Sequence, residues 1–186
     1  APDNSHLRST TVDSMDGLLT KYDSYMARLC GAAENNELNA CRDSVRNQCM
    51  VAAKSPQGFF TLRVPTGGGK TLSVVGFALA HAKRHGLQRI VIALPYTNLI
   101  EQTADVLRDV FGAQNVLEHH SNYDFEAVDP ERAQHERLAT QNWDAPIIVT
   151  TNVQLFESLF SNKPGKSRKV HNIAKSVLVL DEAQSL

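Results

Sequence analysis

The sequence predicts an α/β fold, a mainly parallel sheet flanked by helices and preceded by a helical segment. Three observations carry that prediction. Beyond residue 58, short β-rich runs alternate with stretches of helical periodicity, the pattern of βαβ units. Three of those runs, IVIAL at 90–94, IIV at 147–149 and VLVL at 177–180, are apolar without a break, as suits parallel strands covered on both faces. Ahead of residue 58 the periodicity is helical alone.

Taken in order, residues 12–31 and 37–54 place apolar side chains at helical spacing. Leu18, Leu19, Tyr22 and Met26 share one face, and Val45, Cys49 and Ala52 share another. Residues 32–37 form a polar break between the two helices, and Ser55-Pro56-Gln57-Gly58 closes the second with breaker chemistry. Strands are predicted at 59–64, 89–94, 115–118, 147–150 and 176–180, and helices at 71–85, 99–111, 130–141 and 152–160. No internal repeat or low-complexity tract interrupts them.

Composition bounds the function classes. A length of 186 residues suits one buried α/β domain and an additional helical segment. Hydrophobic residues at 42% and charged residues at 21% are ordinary for a globular protein. With 19 Lys and Arg against 20 Asp and Glu, the net charge of -1 exerts no global pull on phosphate backbones, so any nucleic-acid contact must be local. Cys30, Cys41 and Cys49 fit neither a disulfide framework nor a CxxC metal pair and read as reduced thiols. No apolar run approaches the roughly 20 residues of a membrane span, and the first residues lack a secretion-signal layout. A cytoplasmic protein without membrane contact is expected. The chain opens at Ala1 without a methionine and stops at Leu186 just behind an acidic motif, so it is expected to be a fragment of a longer protein.

The sharpest chemical signal is Pro65-Thr66-Gly67-Gly68-Gly69-Lys70-Thr71, placed after the first predicted strand and opening the next helix. This is a phosphate-binding loop ending in GKT. Glycines let successive N–H groups turn inward onto phosphate oxygens, and the positive end of the following helix adds to the field. Thr66, Gly67, Gly68, Gly69, Lys70 and Thr71 are therefore candidate ATP-binding residues, with Lys70 reaching the β- and γ-phosphates and the Thr71 hydroxyl ligating Mg²⁺. The motif departs from its usual form at one position, where Val64 stands instead of Gly or Ala. A glycine-rich turn that binds nothing is the plain alternative.

Val179-Leu180-Asp181-Glu182-Ala183-Gln184 ends the last predicted strand. Ligands of open α/β sheets bind at the carboxyl ends of strands, which is where these acids stand. Asp181 is the candidate for holding Mg²⁺, and Glu182 for orienting and deprotonating the attacking water. Solvated Asp-Glu pairs after strands are common, and the phosphate loop upstream is what favours the catalytic reading. The adjacent glutamate argues for hydrolysis over phosphoryl transfer.

Two further strand ends carry hydroxyl and amide donors at helix starts. Pro95, Tyr96 and Thr97, with Asn98, follow the second strand, and Thr150, Thr151 and Asn152 follow the fourth. They could grip successive phosphates of a nucleic-acid strand, with ordinary helix capping by Thr97 or Asn98 as the plain alternative. Lys163, Lys166, Arg168 and Lys169, with His171, form a basic cluster in a Pro-Gly loop that is as well explained by solvation. His119 and His120 suggest a metal, yet no carboxylate or cysteine sits at ligand spacing. His135-Glu136 opens an HExxH pattern that fails at Ala139.

These motifs, in this order, resemble the superfamily 2 DExH helicases. VPTGGGKT at 64–71, PYTNLIEQ at 95–102, EHHSN at 118–122, NWDAP at 142–146, TTNVQLFESLF at 150–160, RKVHNIA at 168–174 and LDEAQ at 180–184 narrow the likeness. Together they resemble the CRISPR-associated helicase-nucleases of type I interference systems, of the subtype C kind. The resemblance runs from about Leu18 to the end, and NWDAP and TTNVQLFESLF are its most specific parts.

The resemblance implies that residues 58–186 are a first RecA-like helicase domain and that residues 1–57 connect it to a preceding HD nuclease domain. It also implies a second RecA-like domain carrying arginine fingers, recruitment to a guide-RNA surveillance complex, and ATP-driven movement along single-stranded DNA. The chain holds no His-Asp dipeptide, so the nuclease is not expected within it. Arg42 and Gln48, near the connector, are where the family would contact the nucleotide base. The chain alone is expected to have little or no ATPase activity. A small-molecule kinase and a nucleotide-gated binding module stay open beside this reading, although no arginine-rich lid segment supports the kinase.

Overall fold

The computed structural model describes residues 12–32, 36–65, 67–120, 142–160 and 164–182. Its contacts gather into two units, Ser14–Gln88, and Arg89–Leu186 together with Ala1–Asp13.

The first unit holds helices α1 (Met15–Ala32), α2 (Glu37–Ala52) and α3 (Lys70–His85). Asn36 caps α2 by accepting the N–H of Asn39 at 2.9 Å. Gly86, left-handed at φ 66, ends α3 with its N–H on the carbonyl of Ala82. Both α1 and α2 pack on α3. The predicted faces are the ones used, since Leu18, Tyr22 and Cys49 are buried alongside Val75, Ala78, Leu79 and Ala82. Tyr22 lies over Gly76, where any Cβ would meet its ring. Its hydroxyl is buried without a hydrogen-bond partner, and burial pushes its pKa up to about 12. Nδ1 of His81 and Nε2 of His85 each bond, at 3.0 Å, to the carbonyls of Ala53 and Ser55, tying the end of α2 to α3.

The strand predicted at 59–64 does not form. Phe59, Phe60 and Leu62 are exposed and pair with no strand among the described residues. A β-rich run becomes a strand only where another strand satisfies its backbone. Here Phe60 instead packs edge-on against Phe77, with ring centroids 4.9 Å apart.

The second unit is the sheet. Strands β1 (Arg89–Leu94), β2 (Val116–His119), β3 (Ile147–Thr151) and β4 (Ser176–Leu180) lie in the order β2-β3-β1-β4, every pair parallel. Helices α4 (Thr97–Phe111), α5 (Asn152–Phe160) and α6 (Pro164–Ile173) connect or follow them. Strand side chains alternate between the two faces of the sheet. Val91, Ala93, Leu117 and Ile148 pack with Trp143, Ala145, Leu155 of α5 and Ile173 of α6. The remaining positions, Ile90, Ile92, Ile147 and Val149, are buried as well, and α4 contributes Ile100, Ala104, Leu107 and Phe111 to the core. The fold is therefore α/β, as predicted.

Two expectations change. Strand β4 was predicted to be covered on both faces, but it lies at the sheet edge and leaves Leu178 and Leu180 43% and 40% exposed. The basic stretch predicted as a loop is helix α6, with Pro164 as its first residue, a position where proline's missing N–H costs nothing. The helix predicted at 130–141 lies outside the described residues. No described helix is long and apolar enough to cross a membrane.

Candidate functional site

The phosphate loop belongs to the first unit. The Gly68 N–H bonds the Pro65 carbonyl at 3.0 Å and closes a turn. Gly67 and Gly69 take φ of 82 and 75, a left-handed region that side-chain-bearing residues enter at a cost. Gly68 is demanded for another reason, because a Cβ there would collide with Cγ1 of Val64 and lie 3.0 Å from the Pro65 carbonyl. Val64, the departure from the usual motif, is thus the wall against which the loop closes.

Gly69, which has no side chain to cap with, leads into α3. The first N–H groups of a helix have no partner within it, so an uncapped start fits a phosphate group. Lys70 is half-buried and Thr71 exposed, both in the first turn of α3. Thr66 lies outside the described residues. Arg42 and Gln48, expected near the nucleotide base, both stand on α2. The Arg42 Nε donates to the Gly67 carbonyl at 2.9 Å, and the Gln48 amide donates to Ser44 Oγ at 3.2 Å.

The second unit presents a rim. Because the strands are parallel and Ala93 stands opposite both Thr150 and Leu180, with Thr150 opposite His119, their carboxyl ends emerge together. This rim gathers the residues after β1, β2, β3 and β4. Asp181 extends the ladder by donating its N–H to the Ala93 carbonyl at 3.0 Å. Its Oδ1 accepts the Glu182 N–H at 2.8 Å, and Glu182 is left-handed at φ 49. A non-glycine residue held there costs roughly 1–3 kcal/mol, a strain that clusters at working sites.

Tyr96 is the N-cap of α4, 61% exposed, and no side chain caps this helix. Thr97 and Asn98 lie inside its first turn, which corrects the expectation that one of them caps it. On β3 the opposite holds: Thr151 Oγ1 accepts the Gln154 N–H at 3.0 Å and caps α5. Asn152, 7% exposed, has a buried Oδ1 without a partner. Thr150 is buried and its hydroxyl donates to the His119 carbonyl at 2.7 Å. It ties β3 to β2.

Sequence reading missed two buried networks. Trp143, fully buried and left-handed at φ 55, donates its Nε1 to Nδ1 of His119 at 3.2 Å and lies under Nζ of Lys169, 5.1 Å from the ring centroid. Asn172 donates to the Asn142 carbonyl at 2.6 Å, and Arg89 pairs with Asp144 at 3.0 Å. His119, Trp143 and Lys169, from three segments distant in sequence, therefore meet in the core. Burial first, then the charge of Lys169 and the neighbouring His120, bring the His119 pKa down to about 3.

In the second network Glu118 is shared between Arg108 and His120, each at 2.8 Å. Ligand atoms of Glu101, Glu118 and His120 lie within 4.8 Å of one another, so carboxylates do stand near His120 after all. Arg108 already neutralises Glu118 there. No rule of spacing links Arg108 to Glu118, and only the packing of α4 on β2 could have revealed the pair. Ser121 and Asn122 of EHHSN, the HExxH-like segment, Lys163, and the side chains of Lys166 and Arg168 lie outside the described set, as do Ala183 and Gln184.

The model of the DEAD/DEAH box helicase family matches residues 43–186. The chain is also similar to the CRISPR-associated nuclease/helicase Cas3 of Haloferax volcanii, with 29% identity over 149 residues. That match covers 68% of this chain and 16% of the relative.

Proposed function

Because the chain belongs to the DEAD/DEAH box helicase family, we propose that it is the first RecA-like, ATP-binding domain of an ATP-dependent DNA helicase acting in CRISPR antiviral defence, moving along single-stranded DNA. The observation that carries this reading is the phosphate loop, whose two left-handed glycines lead into the uncapped start of α3 at Lys70. The likeness to a CRISPR-associated nuclease/helicase supplies the biological setting. Residues 1–57 serve as the connector to an HD nuclease domain, and a guide-RNA surveillance complex is the recruiting partner.

In this reading the loop N–H groups and Lys70 hold the β- and γ-phosphates of ATP, while the Thr71 hydroxyl and Asp181 hold Mg²⁺. The donor set fits the ion, since hydroxyl and carboxylate oxygens are what Mg²⁺ prefers. When bound, Mg²⁺ neutralises charge on the phosphate oxygens. Glu182 orients and deprotonates water. The strained backbone at Glu182 supports that role, because strain of this kind clusters at working sites. The exposed start of α4 at Pro95, Tyr96 and Thr97, with Thr151 and Asn152 on the same rim, is proposed to grip a DNA backbone.

The test is DNA-stimulated hydrolysis by the intact protein that carries this chain. Lys70→Ala is expected to abolish ATP binding, whereas Glu182→Gln is expected to stop turnover while still trapping ATP. Retention of turnover in Glu182→Gln would remove Glu182 from that role, whereas ATP binding with no turnover before or after the substitution would favour a nucleotide-gated binding module. The 186-residue chain by itself is proposed to turn over little or no ATP. Arginine fingers from a second RecA-like domain supply roughly three to five orders of magnitude in rate in related chemistry.

A further inference from the structure

We infer that Arg42 is a positioning residue of the phosphate loop, which fixes the Gly67–Gly68 peptide plane and with it the turn that shapes the loop for phosphate. The inference rests on the ATP-site reading above, and it replaces the expectation that Arg42 contacts the nucleotide base. Three contacts carry it. Its Nε donates to the Gly67 carbonyl at 2.9 Å. Its Nη1 donates to Asn39 Oδ1 at 3.1 Å, one turn back on the same helix, which orients the guanidinium. Its stem lies over the loop, with Cγ, Cβ and Cδ at 3.3, 3.6 and 3.9 Å from the place a Cβ on Gly69 would take.

Arg42 thereby touches Gly67 and Gly69, whose left-handed dihedrals give the loop its shape. In a trans peptide the C=O and the following N–H point in opposite directions. Drawing the Gly67 carbonyl toward α2 therefore turns the Gly68 N–H the other way, into the turn, where it meets the Pro65 carbonyl at 3.0 Å. A glycine pair has little intrinsic resistance to a flip of this plane. Once flipped, the plane would set the Gly67 carbonyl against the Pro65 carbonyl and break the turn that shapes the cradle. A guanidinium is suited to the task because it keeps its charge and donates in fixed directions to two acceptors at once.

The experiment measures equilibrium binding of ATP and of tripolyphosphate, which carries no base, to the intact protein by calorimetry. Arg42→Ala is expected to weaken both ligands by the same factor, roughly three- to tenfold, the size of one exposed hydrogen bond. Arg42→Lys should recover part of the loss, and Asn39→Ala should weaken both ligands slightly, in the same proportion. Loss of ATP affinity with tripolyphosphate unchanged would overturn the inference and return Arg42 to the base. Unchanged affinity for both, with Lys70→Ala still abolishing binding, would overturn it while leaving the ATP site standing. If Lys70→Ala binds ATP normally, the ATP-site reading itself is what fails.

Discussion

Replacing Gly76 with alanine is predicted to destabilise the unit Ser14–Gln88, against the ordinary rule for a glycine inside a helix. In an exposed helix interior that substitution favours folding by roughly 1 kcal/mol. At Gly76 the new Cβ would lie 2.5 Å from Cζ and Oη of Tyr22 and 2.8 Å from its Cε1, whereas carbon atoms in contact sit roughly 3.5–4.0 Å apart. Tyr22 is 1% exposed, so relief requires α1 to move off α3. Overpacking of this kind costs about 1–3 kcal/mol. After the helix-propensity gain, a net loss of up to about 2 kcal/mol is expected. The measurement is urea unfolding followed by far-ultraviolet circular dichroism. Tyr22→Phe supplies a second arm: its hydroxyl has no partner, so removing it should raise stability by about 1 kcal/mol. In the Tyr22→Ala background, Gly76→Ala should become stabilising, because the obstacle is gone and the propensity gain remains. If Gly76→Ala stabilises the unsubstituted protein, Tyr22 is not seated on α3. The helical segment would then not be what braces the helix that starts at Lys70.

Three other outcomes are expected. Gly68→Ala should cost more than tenfold in ATP affinity by calorimetry while leaving the unfolding midpoint nearly unchanged, because Val64 and the Pro65 carbonyl leave no room for a Cβ in the loop. His119, brought down to about 3 from 6.5, is neutral when folded but protonated below pH 6.5 when unfolded. Its contribution to stability is therefore complete above pH 6.5 and is lost as pH falls toward 3, and His119→Gln should flatten thermal stability across that window. Arg108→Ala would leave the buried Glu118 carboxylate without its guanidinium. A loss of roughly 3–5 kcal/mol by denaturant titration is expected, and Glu118→Gln in the same background should recover part of it.

Much of the fold was legible because it depends on local periodicity. The strands Arg89–Leu94 and Ser176–Leu180 and the helix Asn152–Phe160 lie where the apolar patterns place them. The phosphate loop was legible for a related reason: Gly67, Gly68 and Gly69 answer constraints set within a few residues, two by dihedral angle and one by the side chain of Val64.

What the sequence could not decide depends on partners far along the chain. The run at 59–64 has strand composition yet forms no strand, because composition cannot supply the neighbour that a ladder requires. Val-Leu-Val-Leu looks like the centre of a sheet and lies at its edge, since burial is a property of what packs on a strand and not of its letters. Thr150 and Thr151 are adjacent and chemically alike, but alternation along the strand turns one into the core and leaves the other to cap α5. Local rules named the chemistry of this chain, while only tertiary packing decided which donors were already taken. That is why Arg42 turns up on a loop carbonyl 25 residues away.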